Sequence, residues 1–203
     1  MAENDAKRSV CLFCSASAPE TLPPAARALA AEFGAACAAR RYRLVYGGSR
    51  RGLMGIAAHA AAGAGGEVLG IMPRHLIRKE AADDEIGTLR LVDTLAERKQ
   101  LMAEAGDVFV ALPGGIGTLD ELVEMLTLNE LGLHDKPVIL CASDGFWRPF
   151  VALLESLRAY GTLRPGTERR LYSAASAEEA LRLADEYFRV APARGAENAA
   201  PRV

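Results

Sequence analysis

The segment PGGIGTLDE, which ends at Glu121, combines the residue types of a phosphate-binding turn with a carboxylate one helical turn further on. It lies between an apolar run and an amphipathic stretch, so it predicts a strand, a glycine turn and a helix N-terminus. Gly114, Gly115 and Gly117 would let backbone N–H groups approach an anion, and Thr118 adds a hydroxyl. A structural interpretation is equally open: Thr118 as the helix N-cap, with Glu121 completing a capping box.

A second glycine turn, GGSRRGLMG, begins at Gly47 and also opens a predicted helix after an apolar run. Two such turns at one edge of a parallel sheet would converge on one cleft. Arg50 and Arg51 could face an anion there, although solvent-exposed loop charge is the commoner role for a single arginine. The first glycine turn, PGGIGT, matches neither a Walker A motif nor G-x-G-x-x-G, so it predicts neither a Walker-type NTP site nor a standard NAD site.

The cysteines and histidines predict no metal site. Cys11 and Cys14 form a C-x-x-C pair, but they fall in a predicted strand, where residues three apart point to opposite faces. No second pair at ligand spacing follows, and the three histidines are scattered. We therefore expect the cysteines to be core residues, and we expect no cofactor.

The elements that must position these turns alternate between apolar strands and helix-length amphipathic segments. The strand runs are nearly continuous rather than alternating, so both sheet faces should be covered. This pattern predicts an α/β fold with a doubly wound parallel sheet of six or seven strands and ligands at the carboxyl strand ends. Predicted strands are residues 9–14, 43–46, 67–72, 88–92, 107–112 and 137–141. Predicted helices are residues 21–41 (capped by Thr21), 53–64, 94–105 (capped by Thr94), 118–131, 146–160 and 176–190.

Composition places the chain among single-domain globular proteins. The chain has 203 residues, of which 50% are hydrophobic, and its net charge is -2. A protein that binds nucleic acid by neutralising phosphates is usually strongly basic, so we expect no nucleic-acid partner. No apolar stretch has the roughly 18–20 residues that span a bilayer, and the start carries no signal-peptide pattern. We predict one domain over residues 1–190, a disordered tail over residues 191–203, and a cytoplasmic location.

Three segments together resemble one family. The segment ending at Glu121 matches the pattern PGGxGTxxE, ERKQLM around Arg98 matches RKxxM, and the turn at Gly47 matches GGxxxGLMG. Weaker support comes from GIMP at Gly70 and LGLHDKP at Leu131. The chain resembles the LONELY GUY (LOG) family of cytokinin riboside 5′-monophosphate phosphoribohydrolases over roughly residues 10–187.

This resemblance implies a Rossmann-like fold, a homodimer, and hydrolysis of adenosine-type 5′-monophosphates to free base and ribose 5-phosphate. Arg98 and Glu121 take the places of the family's catalytic pair. The expected substrate-binding residues are Gly114, Gly115, Gly117, Thr118, Lys99, Ser15 and Gly48. A carboxylate near C1′ would stabilise an oxocarbenium-like ribose or orient the attacking water.

The chain departs from the usual family pattern at Ser49, Leu128 and Glu130, which leaves the base preference open. Two other functions also stay open: a broader purine or pyrimidine monophosphate nucleosidase, and a non-catalytic nucleotide-binding protein. A lysine decarboxylase, the label that some relatives carry, has little support, because no context marks one of the four lysines as a Schiff-base nucleophile.

Overall fold

A computed structural model describes residues 7–191 of the chain, apart from the side chains of Lys79 and Glu80. The sheet has seven strands, all parallel, in the order β4-β3-β2-β1-β5-β6-β7. The strands are β1 Ser9–Phe13, β2 Arg43–Tyr46, β3 Val68–Pro73, β4 Thr88–Val92, β5 Val108–Ala111, β6 Val138–Cys141 and β7 Leu171–Ala174. The predicted fold class is confirmed.

Helices cover both faces of the sheet. They are α1 Pro24–Ala39, α2 Gly52–Gly63, α3 Ile77–Glu80, α4 Leu95–Ala105, α5 Ile116–Glu130, α6 Arg148–Ala159 and α7 Ala177–Val190. One apolar cluster joins α1, α2 and α7 to the sheet, and the other joins α4, α5 and α6 to the opposite face. Every residue of β1 is buried because the strand lies between these two layers.

The two faces separate the C-x-x-C cysteines as predicted. Cys11 belongs to the cluster under α4, α5 and α6, whereas Cys14 belongs to the cluster under α1, α2 and α7. All four thiols are free and buried. Within residues 7–191, no group of three or more His, Cys, Asp or Glu side chains is arranged to hold a metal ion.

Several element boundaries differ from the sequence-based prediction. Thr21 does not cap α1: it lies in a 3-10 turn, its hydroxyl donates to Ala18 O, and α1 begins three residues later. Two prolines at the helix start replace side-chain capping there, because their fixed φ suits the first turn. Thr94 does cap α4, accepting a hydrogen bond from the N–H of Glu97. The sequence analysis did not locate strand β7, since the strand is short and two of its residues are only partly buried.

The strand order reverses between β1 and β5. From β1 the chain winds to one side through β2, β3 and β4, and from β5 it winds to the other. The loops after β1 and β5 therefore flank a crevice at the carboxyl edge of the sheet, where ligands of such folds bind. In the described part of the chain, no helix is both long enough and apolar enough to cross a bilayer. The predicted tail lies, from residue 192 onward, outside the described residues.

Candidate active site

A cavity of about 440 Å³ opens at this crevice. Its walls come from the loops after β1, β2 and β5, from β3, and from the starts of α2, α4 and α5. The lining residues are Cys14, Ser15, Ala16, Ser17, Gly47, Ser49, Met54, Met72, Leu76, Leu95, Arg98, Gly115, Gly117, Thr118 and Glu121. Six of the nine predicted site residues therefore line one cavity: Ser15, Arg98, Gly115, Gly117, Thr118 and Glu121.

The N-terminus of α5 points into the cavity without a side-chain cap. Its N-cap is Gly115, so Thr118 is already the third residue of the helix. The capping-box interpretation of Thr118 and Glu121 is therefore wrong. The first N–H groups of a helix have no intrahelical acceptor, and the helix dipole makes this end positive. The start of α5 is thus available to an anion.

The glycines of this loop serve two different purposes. A Cβ at Gly114 would lie 2.1 Å from Oγ1 of Thr118, so Gly114 is required for the loop to pack against that side chain. A Cβ at Gly115 or Gly117 would meet nothing within 4 Å. These two glycines leave open space beside the backbone N–H groups, which is space that a phosphate group can occupy. Gly114 itself does not line the cavity.

The second glycine turn does not offer a similar anion site. The N–H groups of Leu53 and Met54, in the first turn of α2, both donate to Ser15 O, at 2.8 and 3.3 Å. Ser15 N in turn donates to Pro113 O, so Ser15 ties the loops after β1 and β5 together. Arg50 turns away from the cavity and forms ion pairs with acidic residues at positions 83–85.

Arg98 reaches from α4 under the carboxyl ends of two strands. Its Nε donates to Ile71 O at 3.1 Å, and its Nη2 donates to Gly47 O at 3.4 Å. Its Nη1 lies 3.2 Å from Oε1 of Glu121. A Cβ at Gly47 would be 1.9 Å from Nη2, so the guanidinium requires glycine at that position. Arg98 is therefore held by two backbone carbonyls and one carboxylate.

Glu121 is buried, with a residue exposure of 4%, and it lines the cavity. Burial raises the pKa of its carboxyl from 4.5 to about 7, and the charge of Arg98 partly opposes that rise. Oε1 faces Arg98, whereas Oε2 has no hydrogen-bond partner among the described residues. A buried carboxylate oxygen without a partner is costly, and in a cleft it is typical of a functional group.

Two other predicted site residues lie apart from the cavity lining. The ammonium of Lys99 pairs with Asp120 at 3.0 Å and with Glu124 at 2.9 Å, which links α4 to α5. Gly48 has φ +80° and packs against Met72, Ile71 and Leu89. Its neighbour Gly47 has the direct contact with Arg98. The motif GGxxxGLMG identified the turn, but the sequence carries no signal for which of its glycines meets the guanidinium.

The chain is similar to several known proteins. A family model described as "Possible lysine decarboxylase" matches residues 54–184. A cytokinin riboside 5′-monophosphate phosphoribohydrolase of Rhodococcoides fascians is 42% identical over 154 residues, which cover 75% of this chain and 78% of the relative. A probable cytokinin riboside 5′-monophosphate phosphoribohydrolase of Oryza sativa subsp. japonica is 38% identical over 180 residues, covering 89% and 80%.

Solved structures with the same fold include a molybdenum cofactor binding protein of Rippkaea orientalis. Its TM-score is 0.68 at 22% identity, and the match covers 90% of this chain and 98% of that one. A molybdenum cofactor carrier protein of Chlamydomonas reinhardtii has a TM-score of 0.67 at 23% identity, covering 90% and 99%. At such identities these structures show the fold alone. The family model and the much higher identity of the named relatives show that the chain belongs to the LOG family.

Proposed function

We propose that this chain hydrolyses the N-glycosidic bond of cytokinin riboside 5′-monophosphates, and of AMP, to release the free base and ribose 5-phosphate. The carboxylate of Glu121 carries the proposal: it is buried, it has one oxygen without a partner among the described residues, and it lies one helical turn beyond an open helix N-terminus. The names of the relatives support the same reaction.

The 5′-phosphate is proposed to bind at the start of α5. Backbone N–H groups of the first turn and the hydroxyl of Thr118 supply donors, and the space beside Gly115 and Gly117 admits the phosphate oxygens. The phosphate is remote from the bond that breaks, so its binding energy orients the ribose rather than taking part in the chemistry. This arrangement predicts that a nucleoside without phosphate is a poor substrate.

Glu121 is proposed to act on C1′ and on water. As the C1′–N bond breaks, its electron pair leaves with the base and the ribose becomes oxocarbenium-like. The ionised carboxylate stabilises that cation and accepts a proton from the water that attacks C1′. The departing base takes up a proton from solvent, and Glu121 returns its own proton to solvent once ribose 5-phosphate has formed. Oε2 is the oxygen for this role, because Oε1 is held by Arg98.

Arg98 is proposed to hold Glu121 and the substrate at once. Three of its N–H donors face Ile71 O, Gly47 O and Glu121, which leaves one N–H on each terminal nitrogen without a partner among the described residues. Those two donors form a fork that suits ribose hydroxyls. The positive charge of Arg98 also keeps part of the Glu121 population ionised near neutral pH.

The base is proposed to lie against the apolar part of the cavity, opposite the phosphate end. That part is formed by Met54, Met72, Leu76 and Leu95. Flexible methionine and leucine side chains fit a planar base and also an apolar substituent on it. This lining supports adenine nucleotides with an apolar N6 group as the substrates. The alternative is a broader set of purine or pyrimidine monophosphates, and a substrate panel distinguishes the two.

The decarboxylase label of the family model finds no support in the cavity. Pyridoxal phosphate chemistry on lysine needs a protein lysine to form the Schiff base. No lysine is among the residues that line the cavity in the described part of the chain, and Lys99 is engaged by two carboxylates. The site therefore does not fit that cofactor.

The active form is proposed to be a homodimer. Helix α5 and the turn after it expose four large apolar side chains, Ile116 (81%), Val123 (47%), Leu131 (53%) and Leu133 (68%). A group of exposed apolar side chains on one helix and the turn after it is typical of an interface, and a two-fold dimer is the commonest assembly. The row begins beside the phosphate end of the cavity.

We also propose a cytoplasmic location, which suits four free thiols and nucleotide substrates.

A chromatographic substrate panel tests the proposed function. Purified protein is incubated separately with AMP, isopentenyladenosine monophosphate, CMP and adenosine, and base and ribose 5-phosphate are quantified. The proposal predicts equimolar products from the adenine monophosphates, little from CMP and none from adenosine. Equal rates with CMP would favour the broader nucleosidase. No product from any of them, with AMP still raising the melting temperature, would favour a non-catalytic nucleotide-binding protein.

A further inference from the structure

A polar strap, residues 74–85, crosses from the end of β3 to the second glycine turn. Arg50 N donates to Ala81 O at 2.8 Å, and Asp83 N donates to Gly48 O at 3.0 Å. An isolated antiparallel bridge joins Ser49 to Ala82 between these two hydrogen bonds. The strap also supplies Leu76 to the cavity wall. It therefore fixes the turn that lies under Arg98.

The strap carries a buried carboxylate that the proposed reaction does not use. The side chain of Asp83 has 0% exposure, His59 Nε2 lies 2.8 Å from its Oδ2, and Arg50 Nε lies 3.5 Å from its Oδ1. Neither contact has hydrogen-bond alignment. Tyr46 lies close enough for the Asp83 charge to raise its pKa, after the larger effect of burial. Moving the strap would leave this buried carboxyl group without its two contacts, so the contacts favour the observed placement of the strap.

The turn that Asp83 anchors is the one that places the catalytic guanidinium. Gly47 precedes Gly48, its carbonyl accepts from Arg98 Nη2, and a Cβ at Gly47 would lie 1.9 Å from that nitrogen. Arg98 in turn contacts Oε1 of Glu121. A contiguous chain of contacts thus runs from Asp83 through the glycine turn to the reacting groups.

We propose that Asp83, with His59 and Arg50, is a positioning residue for the hydrolysis: it locks the strap onto the glycine turn and so holds Arg98 against Glu121. The inference rests on the proposed function. Asp83 touches no substrate. Its loss leaves the phosphate end of the cavity at α5 unchanged, so the nucleotide still binds while the catalytic pair loses its alignment.

The test compares Asp83→Asn with Asp84→Asn. The neighbouring Asp84 has the same chemistry, but its side chain is 79% exposed and lies 3.9 Å from Arg50. We expect Asp83→Asn to lower kcat by about 10- to 100-fold, as a small misplacement of a catalytic group does, and to raise KM for AMP by much less, since the phosphate end of the cavity at α5 is unaffected. Asp84→Asn should retain kcat. Equal kcat values for the two variants would overturn the proposal.

A double-mutant cycle separates positioning from a merely structural role. If Asp83 acts through Arg98, the effect of Asp83→Asn should largely disappear in an Arg98→Lys background, whereas independent effects would multiply. Multiplicative effects would overturn the proposal. If Asp83→Asn does not fold, His59→Gln replaces it in the same cycle, with a smaller expected fall in kcat; an unchanged kcat would then count against the proposal.

Amide hydrogen exchange provides a readout that does not depend on turnover. Asp83→Asn should speed exchange of the N–H groups of Arg50 and residue 83, which bridge strap and turn, and leave exchange at the start of α5 as in the unsubstituted protein. If the unsubstituted protein releases no base from AMP, the proposed function fails on its own. Unchanged exchange at the bridge would show instead that Asp83 does not lock the strap.

Discussion

At the scale of single residues, Glu121 is the group in which burial and charge act in opposite directions. Burial raises the pKa of its carboxyl, and Arg98 lowers it, with a net value of about 7. The proposed chemistry needs the ionised form. A glutamate at its ordinary pKa would be ionised throughout the neutral range, whereas Glu121 changes charge within it.

The pH dependence of kcat/KM for AMP follows from this pKa. Activity should fall as pH decreases through about 7, because the carboxyl becomes protonated and no longer stabilises the ribose cation. In Arg98→Gln the opposing charge is gone, so the acid limb should move to higher pH. Steady-state rates between pH 5 and 9 measure the acid limb of the unsubstituted protein and that of Arg98→Gln. An acid limb near 4.5 would contradict a buried, functional Glu121.

Stability should respond to the same ionisation. The pKa of Glu121 is higher in the folded chain than in the unfolded chain, so its contribution to folding is fully present below about 4.5 and is lost as pH rises through about 7. A glutamine at this position does not ionise, so Glu121→Gln does not lose this stability as pH rises. The stability of the Gln variant relative to the unsubstituted protein should therefore rise by ~2.5 kcal/mol between pH 5 and pH 8. Urea unfolding at the two pH values measures the difference, and a pH-independent difference would contradict the raised pKa.

At the scale of elements, the β5–α5 loop separates glycines that the fold needs from glycines that a ligand needs. Gly117→Ala should keep or slightly raise the melting temperature, because the new Cβ meets nothing and alanine favours a helix. It should raise KM for AMP, since the methyl group occupies phosphate space. Gly114→Ala is the matched control: its Cβ clashes with Thr118, so it should lower the melting temperature. Thermal melts and KM values are measured for both variants. An unchanged KM in Gly117→Ala would show that the phosphate does not bind beside Gly117.

Sequence patterns predicted the strands and the β5–α5 loop well, because local residue chemistry determines these elements. The apolar runs delimited six of the seven strands, and PGGxGTxxE identified the α5 N-terminus. Other features depend on contacts between distant segments and left no local pattern. The packing of Arg98 onto Gly47, the burial that shifts Glu121, and the Ser15 carbonyl that occupies the start of α2 are of this kind. Local reasoning also allowed a capping role for Thr118, which the helix start at Ile116 excludes.

At the scale of the whole molecule, the apolar row on α5 predicts the assembly. Val123→Glu should convert a dimer to a monomer, because it places a charge in the centre of the proposed interface. Val190→Glu, at the end of α7, is the control, since Val190 is 82% exposed and lies outside that row. Sedimentation equilibrium of the three proteins measures their masses. A single-chain mass for the unsubstituted protein would contradict the proposed homodimer.

We propose that one cavity, built by the α5 N-terminus, Arg98 and Glu121, cleaves nucleotides at the ribose. The most direct measurement is the rate of ribose 5-phosphate release from AMP by the unsubstituted protein and by Glu121→Gln, each verified as folded and AMP-binding. We expect steady release by the first and a loss of about 100-fold or more in the second, with AMP binding retained. Equal release by both proteins would contradict the assignment of Glu121, and with it the proposed mechanism.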